Sequence, residues 1–250
     1  MEKENDRYIP GRRHGEVALS LRLLALAEMV TPGMRVCDVG CDHGFLSIYL
    51  VQKQISSGVI AMDVRSGPLS RAIKHIAEFG LESYIELRLS DGLDGLREGE
   101  ADTLVMAGMG GRLMMKILTR DHEKAIRLKE LILQPQSELM HFREFLRMRG
   151  YRTVAENIIE EEGKFYPMMK AVYTGETAAV ANPLFDYCGE GLLKNRHPVL
   201  RRYLLAANEN NEKISKKLLN GAGSRARERL LEIKQEQETV CQALSWYDME

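Results

Sequence analysis

The chain has 250 residues, with 35 Lys and Arg against 36 Asp and Glu and a formal net charge of −1. That balance excludes a uniformly basic nucleic-acid coat, though not local basic patches. The length suffices for a full core and a smaller appendage. The opening MEKENDRYIP is charged and has no apolar stretch, so it does not read as a signal peptide. No apolar run reaches the roughly 18 residues that would span a membrane. Four cysteines (Cys37, Cys41, Cys188, Cys241) form no CxxC pair, and the six histidines show no ligand spacing. Reduced thiols, a cytoplasmic location and no metal are the expectation.

A helix is predicted over LSLRLLALAE, which carries Arg22. Seven β-rich runs follow at 35–39, 58–64, 84–90, 101–107, 130–136, 151–159 and 164–173. Helical stretches are expected between the first six, for example 67–80 and 138–150, each ending in a glycine suited to a left-handed cap. Strands alternating with helices predict right-handed βαβ units and a parallel sheet covered on both faces. The last two strands are joined by a short EEEG loop and read as a closing hairpin, with an antiparallel strand at one edge. After residue 175 the strands stop. A linker-like passage of small residues and two prolines leads to helices at 199–220 and about 225–247. In the second, Ala226, Leu230, Ile233, Gln237, Val240, Leu244 and Tyr247 step alternately by four and three, a heptad seam. Leu200, Tyr203, Ala207, Ile214 and Leu218 make a similar seam in the first, with Asn at the polar step. The short turn makes the pair antiparallel, each arm about 30 Å long. Two units are expected, 1–175 and 176–250.

The stretch VCDVGCDHGFL decides the ligand class. The first strand ends at Asp38 and runs into Gly40, Cys41, Asp42, His43 and Gly44 before a helix. A dinucleotide fingerprint needs a second glycine where Asp42 stands, so that the backbone can approach the pyrophosphate. A carboxylate there repels a diphosphate, and no Gly-Lys-Ser/Thr follows to make a P-loop. The loop suits close backbone approach by a nucleoside with a cationic tail, which points to S-adenosyl-L-methionine. Asp38 suits the ammonium and sulfonium end, with Gly40 and Gly44 giving room. Asp63, with Val64 after it, ends the second strand, where an acid accepts both ribose hydroxyls. Asp91, with Gly92 behind it, follows the third and is placed to accept the adenine amino group. The fourth strand closes in LVMAGMGGR, where Ala107, Gly108 and Met109 offer backbone and a flexible wall but no side-chain acceptor and no aromatic. Asp102, at the opposite end, reads as structural.

Five βα repeats and a hairpin follow the order of a class I methyltransferase sheet, a Rossmann-like, doubly wound, mostly parallel α/β architecture, here with a C-terminal helical coiled-coil hairpin. The motifs DVGCDHGFL, DVRSGPLSRA, LRLSDGL, AGMGG and LILQPQ, in order, resemble the bacterial tRNA (adenine-N1)-methyltransferases acting at position 22, the TrmK family. The resemblance runs from about Leu19 to Tyr173 and extends to the helical appendage. Ser47 stands where proline is expected, and Gln136 where asparagine is usual.

The resemblance implies tRNA as partner and in-line transfer to adenine N1, whose lone pair needs no proton removed. Catalysis would then be positioning and electrostatics. The candidates beside the developing positive charge are Asp42, the Gly108 carbonyl and Gln134. His43 is either a polar contact or a proton acceptor, and Asp42 could instead cap the next helix. A base within folded RNA must first be unstacked, at a cost that phosphate contacts offset. Two basic clusters could supply them: Arg7, Arg12, Arg13 and Arg22, and Lys194, Arg196, His197, Arg201 and Arg202. Arg22 could alternatively pair with the cofactor carboxylate. A monomer is favoured. The alternatives are a methyltransferase with a small-molecule or protein substrate, or a noncatalytic RNA-binding protein that keeps a relic fold.

Overall fold

A computed structural model describes residues 15–177, 182–219 and 224–248. Arg7, Arg12 and Arg13 lie outside them. The Ser20 hydroxyl accepts the Leu23 N–H and opens α1 (Leu21–Met29). There follow β1 (Val36–Val39), α2 (Phe45–Gln52), β2 (Val59–Asp63), α3 (Ser66–Glu78), β3 (Ile85–Leu89), β4 (Thr103–Met109), α4 (Gly111–Arg120), α5 (His122–Ala125), β5 (Glu130–Pro135), α6 (Leu139–Met148), β6 (Tyr151–Glu161) and β7 (Lys164–Tyr173). The strands form one sheet in the order β3-β2-β1-β4-β5-β7-β6. The first five are mutually parallel, and β7 runs antiparallel to both neighbours.

The two-residue period of a strand sends alternate side chains to opposite faces. Val36 therefore packs with Leu26, Ile48 and Ile76 on the face of α1, α2 and α3, while Cys37 packs with Met114, Phe142 and Leu146 on the face of α4 and α6. Burial on both faces explains why the central strands read as near-continuous apolar runs.

Two sequence expectations change here. The antiparallel strand is β7, one place in from the edge, because the hairpin folds back between β5 and β6. No helix joins β3 to β4. The connection is made of turns, anchored where the Asp102 N–H donates to the Arg35 carbonyl. Asp102 lies at the amino end of β4, and its carboxylate also accepts the Arg35 N–H and pairs with Lys129.

The passage read as a linker contains α7 (Pro183–Cys188) and α8 (Glu190–Lys194), followed by α9 (Pro198–Leu219) and α10 (Ser224–Ser245). Leu184, Cys188, Leu192 and Leu193 join Leu200, Leu204, Val240 and Ala243 in a third cluster that also takes in Ile158 of β6. A buried ion pair, Arg143 Nε to Glu156 at 3.0 Å, ties α6 to β6. The same guanidinium donates to the carbonyls of Asp186 and Tyr187, and Glu156 also accepts the Gly191 N–H. Between α9 and α10 the seam is filled by Ile233 and Val240, with Asn211 buried at the polar step. The Tyr247 hydroxyl donates to the His197 carbonyl, so the end of α10 returns to the start of α9. The side chain of Ala226, placed on the seam from sequence, lies outside the description.

Candidate active site

Strand order reverses between β1 and β4, so the chain leaves their carboxyl ends in opposite directions and opens a crevice there. A cleft of about 600 Å³ occupies that place. Asp38, Gly40, Asp42, His43, Asp63, Val64, Asp91, Gly92, Ala107, Gly108 and Met109 all line it. These are eleven of the thirteen residues expected there from sequence. Gly44 and Gln134 do not line it.

Asp38 is 4% exposed and accepts the Ser47 hydroxyl at 2.7 Å. Burial pushes its carboxyl up to about 6. The Ser47 hydrogen bond pulls it down, and the nearby Asp63 carboxylate adds like-charge repulsion. Asp63, also buried, accepts the Arg65 N–H at 2.9 Å. Two buried carboxylates at adjacent strand ends make the floor of the cleft electronegative. Burial, with the negative charge of Asp38, drives the Cys41 thiol far above its ordinary range, so it stays neutral.

Gly40 has φ +81°, and an added Cβ would collide with the methyl end of Met109. The φ of +81° favours glycine there, and any side chain would also have to push the flexible end of Met109 aside. Gly44 instead presses against Ala72 of α3 and shapes the turn from behind. Asp42 adopts φ +45° and pairs with Arg71 of α3 at 2.9 Å, with His43 Nε2 3.6 Å away. It does not cap α2, whose cap residue is Gly44 and which has no side-chain cap. Its charge is answered by Arg71, so the anion-repelling character of the loop rests on Asp38 and Asp63. His43 stacks on Phe45 and His75, and its buried Nδ1 has no hydrogen-bond partner.

On the opposite wall, Gln134 is 1% exposed and sits beside Ala107 in the β4–β5 register. Its side-chain oxygen accepts the Gly108 N–H at 3.0 Å and an Arg22 N–H at 3.3 Å. Gln134 thus holds the Gly108 N–H from outside the lining of the cleft. Gln136, two residues on, reaches the cleft instead. Arg22 also lines it, with its guanidinium 5.7 Å from the Tyr166 ring centroid. Asp91 is exposed and pairs with Arg120 at 2.9 Å.

Lys194, Arg196, Arg201 and Arg202 are all exposed around the start of α9. Arg202 pairs with Glu160 at the tip of the β6–β7 hairpin, and the neighbouring Glu161 accepts the Leu21 N–H, one residue before Arg22. Arg202 therefore stands toward the carboxyl end of β6, the end of the sheet at which the cleft opens. Sequence reasoning did not find Ser47, Arg71, Arg120 or Tyr166 as neighbours of the site. Ser47 was visible as a departure from proline. The others meet their partners only through the tertiary fold.

Residues 19–169 match a family model described as a methyltransferase domain. The tRNA (adenine(22)-N(1))-methyltransferase of Bacillus subtilis is 39% identical over 156 residues, which span 62% of this chain and 66% of that protein. The aligned stretch is thus just under two thirds of that curated relative. The crystal structure of the B. subtilis m1A22 tRNA methyltransferase TrmK matches with a TM-score of 0.80 at 30% identity, covering 92% of this chain and 100% of that one. A Streptococcus pneumoniae structure in complex with S-adenosyl-L-methionine matches with a TM-score of 0.80 at 30% identity, covering 91% and 100%.

Proposed function

The chain belongs to the methyltransferase-domain family and, within it, to the tRNA (adenine(22)-N1)-methyltransferases, and from that premise we propose that it moves a methyl group from S-adenosyl-L-methionine to N1 of adenine 22 in tRNA. The observation that carries this reading is the pair of buried carboxylates, Asp38 and Asp63, at the floor of a cleft whose turn runs through Gly40 at φ +81°. A diphosphate would meet two like charges there, whereas a sulfonium nucleoside meets compensation.

When bound, the cofactor supplies an electrophilic methyl group on a cationic sulfur. The residues of the chain bind and orient. Asp38 faces the cationic end, Asp63 the ribose hydroxyls with Val64 alongside, and Asp91 with Gly92 the purine. Gly40, Ala107 and Met109 shape the wall. Arg22 suits an anion, and a guanidinium close to N1 would oppose the positive charge that develops there, so the cofactor carboxylate is assigned to it. The target adenine enters beside the Gly108 carbonyl, and Gln134 fixes the preceding peptide by accepting the Gly108 N–H. Adenine N1 carries its own lone pair, so no general base is required, and N1 must come within about 3–3.5 Å of the methyl carbon in line. Carbonyl and carboxylate oxygens then face the cationic 1-methyladenine. Asp42, paired with Arg71, and His43 hold the rim of the same opening.

Extruding the base costs a few kcal/mol, offset by phosphate contacts from Lys194, Arg196, Arg201 and Arg202 on the arm and from Arg12 and Arg13 at the N-terminus. The same reading divides the chain near residue 175 into a catalytic unit and an arm, and places a monomer in the cytoplasm with its substrate. Among the described residues no helix is long and apolar enough to cross a membrane. Incubation with labelled cofactor and unmodified tRNA, followed by nucleoside analysis, tests the proposal. Labelled 1-methyladenosine is expected. Another labelled nucleoside, or none, refutes it.

A further inference from the structure

The loop that closes the cleft beyond β3 is held mainly by another part of the fold. Within it, the Ser90 hydroxyl bridges the Gly92 carbonyl and the Gly95 N–H. Arg88 of β3 donates to the Gly95 carbonyl, and further anchors come from the junction of α4 and α5. Arg120 donates through Nη1 to the Asp91 carboxylate at 2.9 Å and through Nη2 to the Asp91 carbonyl at 2.5 Å. Its Nε and Nη2 also donate to Asp121, at 3.1 and 2.9 Å. Asp121 is buried and accepts the Leu93 N–H at 2.9 Å. Lys124 completes the anchor by donating to the carbonyls of Leu93 and Asp94. Gly92, at φ +61°, leaves so little room that an added Cβ would sit 2.6 Å from Arg120 Nη2 and 3.0 Å from Asp121 Oδ2.

We propose that Arg120 and Asp121 are positioning residues for the purine end of the methyl donor, setting cofactor affinity and adenine selectivity through Asp91 and Gly92. This rests on the methyl-donor reading above. An exposed carboxylate on a turn samples several rotamers, and fixing it on binding costs entropy. The planar fork of arginine holds one Asp91 oxygen and the Asp91 carbonyl together, a geometry that lysine cannot reproduce. One carboxylate oxygen is thereby engaged, and the other remains to accept an exocyclic amine. A ring that carries a carbonyl in place of that amine meets a fixed negative charge and is rejected. Asp121 keeps Arg120 in register and ties the next peptide, so the turn reaches the cleft already shaped for its ligand.

The test is calorimetric binding of S-adenosylhomocysteine and of its 6-oxo analogue S-inosylhomocysteine to wild type, Arg120→Met and Arg120→Lys, with steady-state kinetics on tRNA. Wild type should prefer the adenine ligand by about tenfold or more, the scale of one charge-assisted hydrogen bond. Arg120→Met should lose about tenfold for the adenine ligand, with little change for the 6-oxo analogue. Its KM for the cofactor should rise about tenfold while kcat moves less than twofold. Arg120→Lys should fall between, because it keeps the charge and loses the fork. A general loss of fold would weaken both ligands alike and leave their ratio unmoved, so an unchanged ratio in both variants overturns the proposal even if both variants are less stable. If wild type binds neither ligand, the methyl-donor reading falls and takes this inference with it. If wild type binds and discriminates while Arg120→Met does so equally, only this inference falls.

Discussion

Replacing Asp38 by asparagine should stabilise the cofactor-free protein while abolishing cofactor binding. Asp38 is 4% exposed, and burial lifts its carboxyl to about 6 against the pull of the Ser47 hydroxyl. In the unfolded chain the same carboxyl titrates near 3.9. Between that value and about 6 the folded state keeps a proton that the unfolded state has lost. Stability from this group therefore falls as pH rises through that window, and the whole penalty stands above it. The penalty at pH 8 is about 3 kcal/mol, and at pH 4 it is less than about 1 kcal/mol. Asparagine is isosteric, stays neutral at every pH and can still accept the Ser47 hydroxyl. Denaturant titration of the apo forms should show Asp38→Asn ahead by about 3 kcal/mol at pH 8, or by about 6–12 °C in Tm. The gap should close toward pH 4. Calorimetry should find no S-adenosyl-L-methionine binding by the variant. Equal stability at pH 8, or a gap that ignores pH, would refute the view that a strained buried carboxylate is kept for a cationic ligand.

In wild type, cofactor affinity should decline as pH drops below about 6, because protonation removes the Asp38 charge. Ser47→Ala should move that decline to higher pH, since it removes the hydrogen bond that favours the ionised form, and calorimetry across pH reads both. Gly40→Ala should eliminate cofactor binding with little loss of helicity by circular dichroism, because its Cβ would have to displace Met109 at φ +81°. Arg201→Glu with Arg202→Glu should weaken tRNA binding, reduce its salt dependence by about two phosphate contacts and leave cofactor affinity unchanged, as filter binding over a salt series would show. Arg143→Met should cost about 3–5 kcal/mol by chemical denaturation, since it strands the buried Glu156 carboxylate.

The parallel sheet was legible because its doubly buried central strands spell apolar runs, and because Asp38, Asp63 and Asp91 fall at or just past the carboxyl ends of β1, β2 and β3. Their convergence on a single cleft follows from strand order, which the alternation of strands and helices already implies. Helices α7 and α8 were illegible for a plain reason: at six and five residues they are too short to show a helical period. Their stability comes from packing, α7 on α6 and α10 and α8 on β6. Side-chain partnership was the other blind spot. Asp42 meets Arg71 and Asp91 meets Arg120, each 29 positions away in the chain. Nothing local in sequence joins such pairs, so Asp42 read as a free charge or a cap when it is neither. Gln134 was read as one of the groups beside the developing positive charge. Its side-chain oxygen accepts the Gly108 N–H and an Arg22 N–H, while Gln136, past the end of β5, reaches the opening.

The β6–β7 hairpin belongs to the sheet by hydrogen bonding and to the helical arm by packing. Ile158, in the middle of β6, is 1% exposed because α7–α10 cover it, and Phe165 lies edge-on to Tyr203 at 5.5 Å between ring centroids. Severing the arm near residue 175 would strip those side chains to water and leave the Arg143–Glu156 pair half open. The catalytic half is therefore no self-sufficient module awaiting an accessory. A shortened enzyme would need polar replacements along the outer edge of its sheet before any loss of methylation could be blamed on a missing grip on RNA.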